Sequence, residues 1–168
     1  MNIKHTILLA VLFFYAGIVS AQKPENILAA VGTPPNPKVQ VSWNRYNDYA
    51  AITDICKRMA AAHPNLVKLE AMGKSFQGKD LWVMTISDTK VGNPDKKPAM
   101  YIDGNIHSNE IQGSEFALYT AWYLVEMYAA GNQSIMSLLA DKTFYIAPTI
   151  NPDARDNFIH QANTAHSP

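Results

Sequence analysis

His107 and Glu110 stand three residues apart in Tyr101-Ile102-Asp103-Gly104-Asn105-Ile106-His107-Ser108-Asn109-Glu110. Imidazole nitrogen and carboxylate oxygen are both good zinc ligands. A short apolar run ending in a glycine turn can aim both side chains at one point. Catalytic zinc usually takes three protein ligands and a water, so the pair reads as an incomplete set. His160 and His166 are candidates for a third ligand. Glu115 reads either as a ligand or as a first-turn helix acid. Arg155 suits the bidentate grip of a substrate carboxylate, or else sits on the surface beside Asp153 and Asp156. Cys56 falls on the apolar side of a helical pattern, which predicts a buried structural thiol rather than a nucleophile.

The elements that must position these residues follow from periodicity. Asn47 or Asp48 can cap a helix with apolar positions at Tyr49, Ile52, Ile55, Met59 and Ala60, stopped by His63-Pro64. Two strand-like runs, Val67 to Met72 and Leu81 to Ser87, flank the polar stretch Gly73 to Asp80 and predict a hairpin. Ala99 to Asp103 is short and apolar, as expected of a strand covered on both faces. Gln112 to Ala130 predicts a largely buried helix ended by Gly131, Ser134 to Lys142 a shorter one, and Thr143 to Ala147 another buried strand. Such alternation argues for an α/β domain with a mixed central sheet and helices on both faces. A crossover through the long helix would make the strands at Ala99 and Thr143 parallel. The loops carrying His107 and Asn151 would then open on the same edge.

The chain has 168 residues, room for one domain, with 14 basic and 14 acidic residues. That balance gives no electrostatic case for nucleic acid or an anionic membrane. Residues 1–21 read as a signal peptide: Lys4 and His5, an apolar run from Ile7 to Tyr15, then small residues up to Ala21. The run is too short for a membrane span, so the expected location is periplasmic or extracellular. Residues 22–45, with Thr33-Pro34-Pro35-Asn36-Pro37, read as an extended or loose N-terminal arm. The single cysteine allows no intrachain disulfide.

The segment Gly104 to Glu110 and the apolar helix after it resemble the zinc-binding segment of the metallocarboxypeptidases of the carboxypeptidase A type. Tyr46 to Leu66 is similar to that family's opening helix with its His-Pro end. Gly73-Lys74-Ser75-Phe76-Gln77-Gly78-Lys79 resembles its Gly-x-Ser-x-Glu-Gly-Arg hairpin, with Gln77 and Lys79 as departures. Pro148-Thr149-Ile150-Asn151-Pro152-Asp153 resembles its Asn-Pro-Asp turn. The resemblance implies that His107 and Glu110 are the first and second ligands of Zn2+, and that a zinc-activated water hydrolyses a peptide's C-terminal bond. It implies that residues 46–168 are the N-terminal part of a catalytic domain. The family's third ligand, a His on a later strand, and its general-base Glu would lie beyond Pro168. Two alternatives stand beside this reading. One is a zinc hydrolase of related fold acting on small acylated amino acids or cell-wall peptides. The other is a catalytically inactive exported binding or structural module on the same scaffold.

Overall fold

The computed structural model describes residues 32–161. The leader at 1–21 and His166 lie outside the described residues. Helix α1 spans Tyr49–Ala62, strands β1 and β2 Val67–Lys74 and Asp80–Ile86, and a single 3₁₀ turn Pro94–Lys96. Strand β3 spans Ala99–Asp103, helices α2 and α3 Ile111–Ala129 and Gln133–Asp141, β4 Thr143–Ala147, and α4 Pro152–His160. Asp48 caps α1 by accepting from the Ala51 N–H, and Asn132 caps α3 from the Ile135 N–H. Gly131, at φ 80°, ends α2 with a left-handed residue that glycine adopts without steric cost.

The four strands form one mixed sheet in the order β1-β2-β4-β3. β1 with β2 and β2 with β4 run antiparallel, whereas β3 and β4 pair in parallel from Ala99↔Thr143 to Asp103↔Ala147. The ends of β3 and β4 therefore open on one edge, as the sequence pattern predicts. Register puts Val67, Leu69, Met84, Ile86, Ile102, Phe144 and Ile146 on one face. Ile52, Ile55 and Met59 of α1 and Leu118, Ala121 and Val125 of α2 pack with them to form the core. Cys56 lies in the same core, and burial pushes its thiol pKa up to about 12, so it is no nucleophile at neutral pH.

The mixed sheet with its helices is as expected, and α1 and α2 pack against the first face. The second face presents Lys68, Glu70, Val83, Thr85, Tyr101 and Tyr145, all exposed or half-exposed. One expectation needs correction: β3 was expected to be covered on both sides. It is an edge strand instead, with Met100 and Tyr101 exposed, because among the described residues only β4 pairs with it. The arm is also less loose than its prolines suggest. Val39 is buried, its carbonyl accepts from the Trp122 indole N–H at 2.7 Å, and Trp43 meets Tyr119 and Trp122 edge-on.

Candidate metal centre

His107 and Glu110 converge. Glu110 Oε1 lies 2.9 Å from His107 Nδ1, and Glu110 Oε2 accepts from the His107 backbone N–H at 3.1 Å. Both side chains stay about half exposed, at 50% and 48%, so the pair faces solvent and is open to a ligand. Glu110 occupies the N-cap position of α2 yet makes no capping bond from its side chain. An N-cap acid would ordinarily turn onto the first helical N–H groups. Here the carboxylate turns back to His107 instead. The side-chain bond to His107, then the backbone N–H of His107, lower the carboxyl pKa from its ordinary value, so Glu110 is anionic at neutral pH.

The loop beneath the pair is tightly built. A Cβ at Gly104 would meet the Gly113 carbonyl oxygen at 2.5 Å and the Ser114 nitrogen at 2.8 Å, so only glycine lets the chain leave β3 against α2. Gly104 also donates to Ala147 O and accepts from Ile150 N–H, which ties the loop to the end of β4. Asn105 follows in the left-handed region at φ 58°, a conformation that Asn tolerates better than most residues. Asn105 is buried, and its Nδ2 donates to the His107 carbonyl at 2.6 Å. From the neighbouring strand end, Asn151 Nδ2 donates to the Ile106 carbonyl at 2.9 Å, while Asn151 Oδ1 caps α4. Asn151 thus caps its own helix and also reaches the His107 loop.

Arg155 must be reassigned. It was expected to hold a substrate carboxylate or to sit on the surface. It is fully buried, and all five of its N–H donors are engaged. Nε and Nη2 donate to Asn47 O at 2.8 and 2.6 Å, and Nη2 also to Glu115 Oε1 at 2.6 Å. Nη1 donates to Asn105 Oδ1 at 3.1 Å and to Ile111 O at 2.9 Å. Nothing is left for a substrate. Burial pushes the guanidinium pKa down and Glu115 opposes that shift, as expected of a desolvated ion pair.

Glu115 is accordingly neither a free ligand nor a simple dipole acid. It binds Arg155 and also accepts from the backbone and side-chain amides of Asn47. His160 lies on the last turn of α4 with Nε2 3.2 Å from Asp48 Oδ2, engaged at the start of α1. Asp153, the acid of the Asn-Pro-Asp turn, accepts from Ser75 Oγ and the Gln77 N–H, while Lys79 reaches Asp156 at 2.7 Å. The hairpin loop is thereby fastened to α4. Sequence reading missed α4 itself, although Asn151, Pro152 and Asp153 supply an N-cap, a proline at the first helical position and a first-turn acid.

The donor set fits zinc in type: a ring nitrogen and an anionic carboxylate oxygen, converging and solvent-accessible. It supplies two ligands. Among the described residues no group of three or more His, Cys, Asp and Glu side chains can hold a metal ion.

Residues 52–157 match the family described as zinc carboxypeptidase. Carboxypeptidase Z of Rattus norvegicus is 36% identical over 108 residues, 64% of this chain and 17% of the relative. Carboxypeptidase B of Astacus astacus is 31% identical over 113 residues, 67% of this chain and 35% of the relative. Bovine thrombin-activatable fibrinolysis inhibitor, solved in complex with tick carboxypeptidase inhibitor, superposes with a TM-score of 0.60. That match has 26% identity and covers 72% of this chain and 36% of the other. Carboxypeptidase A from Helicoverpa armigera shares the fold, with a TM-score of 0.63 at 24% identity over 82% of this chain and 32% of that one. The chain thus spans between 17% and 35% of the length of the two named relatives. With a match from the core of α1 to within α4, through the His107–Glu110 loop, this chain belongs to the zinc carboxypeptidase family.

Proposed function

We propose that the chain contributes His107 and Glu110 to the zinc site of an exported metallocarboxypeptidase that hydrolyses the C-terminal bond of peptides or proteins. The observation that carries this reading is the convergence of Nδ1 and Oε1 to 2.9 Å on a half-exposed loop, inside the segment matched to the family. Bound zinc would supply Lewis-acid polarisation of the scissile carbonyl and a water of lowered pKa. The chain's own part is positional. Glu110 offers a charged oxygen, His107 a ring nitrogen that must be free of its proton to bind, and Asn105 and Asn151 fix the backbone between them. Export rests on the leader-like residues 1–21, and among the described residues no helix is long and apolar enough to cross a membrane.

The direct test is zinc content after equilibrium dialysis of the 1–168 chain and of its His107→Ala and Glu110→Ala variants. The expected result is uptake by the parent that both variants lose. Equal zinc in the parent and His107→Ala would end the assignment. A second reading is a catalytically inactive exported binding or structural module on the same scaffold. Zinc-dependent release of the C-terminal residue from a peptide would rule it out.

A further inference from the structure

Arg155 belongs to neither the metal pair nor the hydrophobic core, yet it is the most heavily bonded side chain of the described residues. Its anchorage is on one side: Nε and Nη2 are fixed by Asn47 O and Glu115. Its other nitrogen faces the loop. Nη1 donates to Asn105 Oδ1, where the loop begins, and to the Ile111 carbonyl, where α2 takes over. Asn105 then passes the constraint inward, donating to the carbonyls of His107 at 2.6 Å and Ser108 at 3.4 Å.

We propose that Arg155 is a positioning residue for the ligand pair: a single guanidinium nitrogen spans both ends of the Asn105–Ile111 loop and sets the separation at which His107 and Glu110 meet. The inference rests on the reading of those two side chains as zinc ligands, but the loop geometry it describes does not. A guanidinium can do this because its donors are planar and rigidly forked. A lysine would keep the charge opposite Glu115, yet its one nitrogen cannot reach Asn47, Glu115, Asn105 and Ile111 together. The loop is thereby held convergent whether or not metal is bound, which lowers the ordering required when an ion arrives.

The test uses the whole chain with two variants, Arg155→Lys and Asn105→Gly. Asn105→Gly keeps the backbone conformation accessible at φ 58° and removes the relay together with the 3.4 Å bond from the Ser114 hydroxyl, so it remains informative if Arg155→Lys folds poorly. Two readouts are taken. Hydrogen exchange of zinc-free protein compares peptides covering 104–111 with those covering β2 and β4, and zinc affinity is measured by competition with a chelating dye. The expected result is faster exchange confined to 104–111 in both variants, with unchanged protection in β2 and β4. Zinc affinity should fall about tenfold, the lower end of the loss typical for a group that orients a metal ligand. Unchanged loop exchange in folded Asn105→Gly, or a zinc affinity equal to the parent's in both variants, would overturn the proposal. A parent that takes up no zinc at all defeats the ligand reading alone, and the exchange data still decide whether Arg155 sets the loop.

Discussion

Two His–Glu pairs in this protein have the same separation and opposite surroundings. His63 Nε2 and Glu126 Oε1 lie 2.9 Å apart with side chains 2% and 1% exposed, and His107 and Glu110 lie 2.9 Å apart at 50% and 48%. Glu126 also accepts the backbone N–H groups of Lys38 and Val39, so its carboxylate is closed on every described side and pins the arm to α2. Among the described residues, Glu110 is held by His107, at two points of the same residue. Distance alone therefore does not mark a functional site. What separates the pairs is whether the acceptor still has lone pairs facing solvent.

The comparison can be broken most forcefully at the buried pair. Glu126→Ala leaves two backbone N–H groups and the His63 ring without their acceptor. It should cost about 3 kcal/mol or more of stability, as removal of one partner from a buried pair typically does. Urea unfolding measures this, and zinc affinity of the folded fraction should stay at the parent value. A smaller effect follows at the exposed pair. His107→Ala should abolish zinc uptake while changing the stability of the zinc-free protein by no more than about 0.5 kcal/mol, as for most surface substitutions. A large loss of stability there would erase the distinction.

The smallest effect is electrostatic. Because His107 lowers the Glu110 pKa, the folded state favours the carboxylate. The resulting stabilisation is present above the unfolded carboxyl pKa and fades as pH falls through the lower folded value. His107→Ala should remove the larger, side-chain part of it and leave the part due to the backbone N–H, visible as an upward shift of the Glu110 carboxyl titration by NMR. A titration that does not move would mean the ring is no partner of that carboxylate.

The elements were mostly legible in the sequence because they are locally encoded. Ala99–Asp103 and Thr143–Ala147 appear at their expected bounds, and α1 with its Asp48 cap needs only period and cap chemistry. The His107–Glu110 pair was legible for the same reason, since three residues separate the partners. Arg155 was not. Its partners Asn105 and Asn47 lie 50 and 108 residues away, and nothing local announces them. Helix α4 is an instructive omission: the Asn151-Pro152-Asp153 start was read as a turn because its mean hydropathy is low and its apolar stripe weak. β3 was misjudged because an apolar run of its length fits a central strand and an edge strand equally well, and only its neighbours decide between them.

The same long separations bear on the order in which the molecule assembles. The hairpin and α1 close over short stretches of chain, whereas β3 meets β4 only after α2 and α3 have been traversed. Arg155 arrives later still along the chain. Contacts between distant residues carry the greater loop-closure entropy and tend to form last. The loop bearing His107 and Glu110 is therefore expected to gain its order after the hairpin and α1. On the proposed zinc reading, a metal would bind the finished loop rather than nucleate it.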